Sequence, residues 1–178
     1  MGALLPNKKK QSRQSSYDPE DGLLDAVNLR LLGELQRNPR LPMAELARRV
    51  GMSAPAVSER VQRLERAGVI TGYRLEIDPG AIGLGVTAFT RIRPMPGSLP
   101  KIAELAAELP QVTECYRITG EDCFIMRVYA PALDEFEAVL DKFLMHGQTT
   151  SSIVQSTAVP ARPLPLPAVP FRSPPVRP

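Results

Sequence analysis

The residues most able to do chemistry in this chain sit in one stretch, "VGMSAPAVSERVQRLERAGVI", residues 50–70. Val57, Val61 and Leu64 fall at helical spacing and form a buried stripe. Ser53, Ala54, Pro55, Ser58, Glu59 and Gln62 are left over, small and polar, near the start of the same helix. Hydroxyl, amide and carboxylate groups there can hydrogen-bond to base edges, and small side chains let the backbone come close to DNA. Arg48, Arg49, Arg60, Arg63 and Arg74 surround them, guanidinium groups suited to phosphate oxygens. The alternative is an ordinary surface helix in which Glu59 and Arg63, four apart, form a solvent-side pair.

The flanking sequence supplies what would position such a helix. In "LLDAVNLRLLGELQRNPRL", Leu24, Val27, Leu31 and Leu35 predict a first helix that stops before Pro39. "PMAELARRV" predicts a short second helix burying Leu46, Ala47 and Val50. Gly51 suits a left-handed turn, Ser53 an N-cap and Pro55 the first turn of the third helix. Gly68 ends that helix, and "VITGYRLEI" predicts a strand. Residues 23–73 thus predict a helix-turn-helix with a wing, 74–81 a hinge, and 1–22, carrying "KKKQSRQSS", a disordered basic tail.

Residues 82–160 change pattern. "GVTAFTRIR", "QVTECYRIT", "DCFIMRVYA" and "SSIVQSTAV" predict strands. "LPKIAELAAEL" predicts a helix burying Ile102, Leu105, Ala106 and Leu109. "ALDEFEAVLDKFL" predicts another, burying Leu133, Phe136, Leu140 and Phe143. The order β-α-β-β-α-β is a ferredoxin-like unit, so the fold class is α+β. Apolar residues of both parities in "DCFIMRVYA" predict a sheet covered on both faces, the second face by another copy of the chain. Residues 161–178, "ARPLPLPAVPFRSPPVRP", predict a proline-rich tail without helix or inner strand.

Charge separates the two modules. Of the 178 residues, Leu23–Tyr73 hold eight arginines against five acids, and Leu75–Pro160 six basic residues against eleven acids. The first half suits a polyanion. Cys115 and Cys123 with a lone His146 are too few for a structural zinc site and predict buried strand thiols without a disulfide. Neither a Ser–His–Asp set nor a phosphate-binding glycine loop is present. No apolar run reaches the roughly 18 residues of a membrane span. "MGALLPNKKK" has its apolar residues before its lysines, unlike a secretory signal, and Pro6 stands where myristoylation needs Ser or Thr. The expected location is the cytoplasm.

In "ELARRVGMS", "RVQRLERAGVITGY" and "TGEDCF", taken in that order, the chain resembles the leucine-responsive and asparagine regulator (Lrp/AsnC) family of transcription factors. The resemblance spans about four-fifths of the sequence. It implies a winged helix-turn-helix joined to a ferredoxin-like effector (RAM) domain, dimers formed through that domain, assembly up to octamers, and an amino-acid effector with no other cofactor. It departs from the family at Asn28, where Asp is usual, with an expected effect on local capping or packing. "TGEDC" and "GQTTSS" match the effector-lining segments, making Gly120, Glu121, Asp122, Thr149, Thr150 and Ser151 candidates for an amino acid's ammonium and carboxylate. Equally, Gly120 can serve as a strand turn and the hydroxyls can satisfy loop backbone. The expected partners are double-stranded DNA, further copies of the chain and a small amino acid, with no membrane. Two other readings share this fold: a sirohaem-decarboxylase-like enzyme, disfavoured by the single histidine and the basic winged helix, and a DNA-coating architectural protein.

Overall fold

A computed structural model describes residues 22–167. The basic tail and the end of the proline-rich tail lie outside the described residues. The chain divides into two compact units. One runs to Arg74 and takes in the chain again from Arg162; the other is Leu75–Ala161.

The first unit holds three helices, α1 (Ala26–Arg37), α2 (Met43–Val50) and α3 (Ala54–Arg66). Asp25 caps α1, its side chain accepting from the Asn28 N–H at 2.7 Å. Gly51 ends α2 at φ 75°, ψ 36°, a left-handed conformation costly for residues with a Cβ. Ser53 then caps α3 by accepting from the Ala56 N–H, and Pro55 stands in its first turn. Leu31, Leu46, Val57 and Leu64 are fully buried between the helices. Each contributes about 1.5–3 kcal/mol by leaving water.

Two expectations for this unit change. Leu24 precedes α1, and the buried positions of α1 are Asn28, Leu29, Leu31 and Leu35, so the buried stripe is rotated toward Asn28. Asn28 can be buried because both ends of its amide are bonded: its Nδ2 donates to the Leu23 carbonyl at 2.8 Å and its Oδ1 accepts from Arg60 Nη1 at 3.0 Å. The second change is the wing. Residues 69–78 form no strand. A strand needs a neighbour for its N–H and C=O groups, and the described residues supply none here.

The second unit is a four-stranded antiparallel sheet of β1 (Val86–Pro94), β2 (Val112–Arg117), β3 (Phe124–Ala130) and β4 (Gly147–Ile153), in the order β2-β3-β1-β4. Helices α4 (Leu99–Glu108) and α5 (Leu133–Leu144) complete the βαββαβ order. Ala88 and Ile92 of β1 and Phe124, Met126, Val128 and Ala130 of β3 share one core with Ile102, Phe136 and Phe143. Within α5 Phe136, Val139 and Phe143 are buried, while Leu133, expected inward, is 54% exposed at the first position of the helix. The last strand begins four residues earlier than expected, at Gly147, and ends at Ile153. Gly147 is required by close approach: a Cβ there would stand 2.6 Å from the Arg93 carbonyl oxygen.

Burial on β3 alternates strictly, so the second parity, Ile125, Arg127 and Tyr129, belongs to the face without helices. Among the described residues no helix covers this face. Arg127 crosses it, stacking 5.1 Å from the Phe89 ring centroid and pairing with Glu114 at 3.3 Å. The cysteines are free, but neither is a buried strand residue: Cys115 is exposed on β2, and Cys123 is half-buried beside a turn at φ 42°. Among the described residues, no helix is long and apolar enough to cross a membrane.

Candidate DNA and effector sites

On α3, Val57, Val61 and Leu64 face the core. Pro55, Glu59, Gln62 and Arg66, spaced four, three and four residues apart, form an exposed stripe on the opposite side. Ser53 is exposed at the cap; Ala54 and Ser58 are half-buried along its edge. This geometry offers one end of a helix, with small residues, to a groove. Arg63 and Arg74 are also exposed.

Arg48, Arg49, Arg60 and Arg30 make defined contacts within this unit. Arg48 and Arg49 both pair with Glu45, at 2.8 and 2.9 Å, and Arg49 also reaches Glu34 of α1 at 2.8 Å. Hydrogen bonds from Arg48 and Arg49 hold the Glu45 carboxyl down to about 2. Hydrogen bonding from Arg49 first, and from Arg37 as well, lowers Glu34. Arg60 points inward, Nη1 at 2.6 Å from Asp25 Oδ2, and so fastens α3 to the start of α1. Arg30 donates to the Arg49 carbonyl at 2.7 Å, tying α1 to the end of α2.

In the second unit, Gly120 turns the chain after β2 at φ 105°. Its neighbours Glu121 and Asp122 face two arginines of β1. Arg93 Nη2 pairs with Glu121 Oε2, and Asp122 lies 3.5 Å from Arg91 and 3.8 Å from Arg93. Thr150 is the register partner of Arg91. Thr149 and Ser151 are on the opposite side of β4, because successive strand residues alternate. Ser151 shares a 2.9 Å hydrogen bond with the buried Thr90 hydroxyl. The structure thus gathers Glu121, Asp122 and Thr150 around Arg91 and Arg93, and separates Thr149 and Ser151 from them. Arg91 and Arg93 escaped the sequence reading. Their signal is the alternation in "TRIRP", with Thr90 and Ile92 inward and two arginines outward.

Residues 24–71 match the family described as winged helix-turn-helix DNA-binding, and residues 87–164 the Lrp/AsnC ligand binding domain. The transcriptional regulator YezC of Bacillus subtilis is 38% identical over 135 residues, which cover 76% of this chain and 96% of that one. The chain belongs to the Lrp/AsnC family. LrpA of Mycobacterium tuberculosis is 34% identical, covering 75% of this chain and 91% of its own. Among solved structures, LrpC of Bacillus subtilis superposes with a TM-score of 0.73 at 31% identity, over 78% of this chain and 99% of that one. The Neisseria meningitidis regulator NMB0573, solved as its complex with L-Met, gives 0.74 at 27% identity, over 80% and 96%. Like these Lrp/AsnC relatives, the chain is a DNA-binding transcriptional regulator and not an enzyme.

Proposed function

We propose that this Lrp/AsnC regulator reads a specific DNA site with α3 and that an amino acid tunes its binding. The observation that carries the first part is the capped, solvent-facing stripe Ser53, Pro55, Glu59, Gln62 and Arg66 above a closed three-helix core. Its amino-terminal end enters the major groove; Ser58, Glu59 and Gln62 contact base edges, while Arg63, Arg66 and Arg74 hold phosphates. Ala54 lets the backbone approach. Arg48 reaches phosphate only by exchanging Glu45 as partner, Arg49 only by exchanging both Glu45 and Glu34, and Arg60 acts by positioning α3.

The amino-acid effector is supported by the carboxylate–arginine cluster. Arg91 and Arg93 can take an α-carboxylate, Asp122 or Glu121 an ammonium, and Thr150 a further hydrogen bond. Gly120 supplies the turn that presents both acids. NMB0573, solved with L-Met, is a precedent in a relative. Arrangement as a dimer, and from there toward an octamer, is supported by two unpartnered features. One is the helix-free sheet face with Phe89, Ile125 and Tyr129. The other is the segment Tyr73–Asp78, where exposed Tyr73, Leu75 and Ile77 alternate with charged residues, the pattern of a strand awaiting a partner. The site of action is the cytoplasm.

The test compares binding to the gene's own upstream region with scrambled DNA of equal length, at two salt concentrations, with and without pooled amino acids. Tighter binding to the upstream fragment, altered by one amino acid, is expected. Equal binding to both fragments with steep salt dependence supports a DNA-coating protein instead.

A further inference from the structure

The proline-rich segment does not leave the molecule where the second unit ends. From Arg162 the chain rejoins the DNA-binding unit. Gln36 of α1 donates to the Leu164 carbonyl at 3.1 Å. Leu166 is half-buried over Gly33, where a Cβ would come within 3.8 Å of its Cδ1. Leu166 and Pro167 form one wall of a cavity of about 460 Å³ whose other walls include Leu29, Gly33 and Val50. Arg30, Glu34, Arg37 and Arg49 rim it.

We infer that α1 carries a docking surface for a proline-rich strand, that the chain's own Arg162–Pro167 lies along it through Leu164 and Leu166, and that this strap is a second tether on the DNA-binding unit. The composition suits the role. Pro163, Pro165 and Pro167 have no N–H to satisfy and few conformations to lose on docking. The remaining side chains provide one apolar anchor, Leu166, and an outward Leu164 that is 79% exposed. A unit held only at the Arg74–Leu75 crossing can swivel; one held also by the strap presents α3 at a restricted set of distances from the α3 of a second copy. The expected consequence is a sharper preference for DNA half-site spacing. That consequence rests on the regulator reading above; the docking itself does not.

The chain has no tryptophan, so a single one reports its own surroundings. Leu166→Trp is expected to emit to the blue of Leu164→Trp, and Gly33→Asp added to Leu166→Trp to return the emission to the red, with the helical circular dichroism unchanged. Equal emission from the two tryptophan variants would overturn the docking. For the tether, affinity is measured against paired half-sites at varied spacing. A chain ending at Ala161, and the full chain with Leu166→Asp, are each expected to flatten an about tenfold dependence on spacing to about twofold. Binding to a single half-site is expected to change by less than about twofold. An unchanged spacing profile in both variants would overturn the tether. Failure of every form to bind any DNA would sink the regulator reading, and the fluorescence result would still decide whether the strap is docked.

Discussion

Arg60 Nη1 lies 2.6 Å from Asp25 Oδ2, joining α3 to the N-cap of α1. The same guanidinium nitrogen reaches Asn28 Oδ1, and the Asn28 N–H donates to the Asp25 carboxylate. One triangle therefore fixes where α3 sits on α1.

Breaking that triangle is expected to cost stability before it costs DNA contact. Asp25→Ala removes both a cap and an ion-pair partner and is expected to destabilise the first unit by about 1–2 kcal/mol. Because the pair is about one-third exposed on each side, its own coupling is expected at about 0.5–1 kcal/mol. A double-mutant cycle of Asp25→Ala and Arg60→Ala in urea measures it; additive losses would show that the two side chains act separately.

The same carboxyl sets an acid limit. Burial pushes Asp25 up, but the Asn28 N–H and Arg60 outweigh it and hold the group below its ordinary 3.8. A depressed carboxylate gives its full stabilisation above the unfolded value and loses it as pH falls through the folded one. Asp25-dependent stability is therefore flat above about pH 5 and declines below about pH 4. In Asp25→Asn this part of the acid decline should vanish, as read by unfolding midpoints across pH.

On the proposed reading, Glu45 competes with DNA for Arg48 and Arg49. Glu45→Gln is expected to raise DNA affinity several-fold at low salt. The plot of log affinity against log salt should steepen by about one unit, as the freed Arg48 displaces about one counterion, while Arg49 stays paired with Glu34. Unchanged slope in a salt titration would place Arg48 away from phosphate.

Gln62→Ala should relax preference at one base position, at about 1–3 kcal/mol of discrimination. Arg66→Ala should weaken binding to all sequences alike. Competition binding against a library of single-base variants separates the two.

At the second site, Asp122→Asn should abolish the response to the amino acid while leaving DNA affinity without it unchanged. Calorimetric titration of the effector into wild type and variant checks this; an undiminished affinity would remove Asp122 from the site.

Much of this was readable from residue type and spacing, and the exceptions have physical causes. The buried faces of α2 and α3 follow from Leu46, Val50, Val57, Val61 and Leu64. Asn28 is left out of the predicted buried stripe because a polar side chain joins a core only through partners, here Leu23 and Arg60, that spacing does not reveal. Leu133 fits the helical period of Phe136 and Phe143 but lies exposed, because periodicity does not tell which terminal residue of a helix still reaches the core. Tyr73–Asp78 reads as a strand, yet strand pairing is a property of the neighbour and not of the segment. "GQTTSS" resembles a loop by composition, and only its pairing with β1 reveals alternation, which divides Thr150 from Thr149 and Ser151. Arg91 and Arg93 counted as surface charge until Glu121 and Asp122 were seen opposite them. The proline-rich segment gave no sign of its docking on α1, because one leucine and one carbonyl carry it.

The central claim is that α3 reads the major groove. Methylation protection of guanine N7 on the upstream region tests it most directly, since that atom faces the major groove. The account predicts protected guanines in two clusters about one helical turn apart, with protection weakened at one position in each cluster by Gln62→Ala. Uniform protection along the fragment, or bound complexes whose guanines all remain reactive, would contradict it.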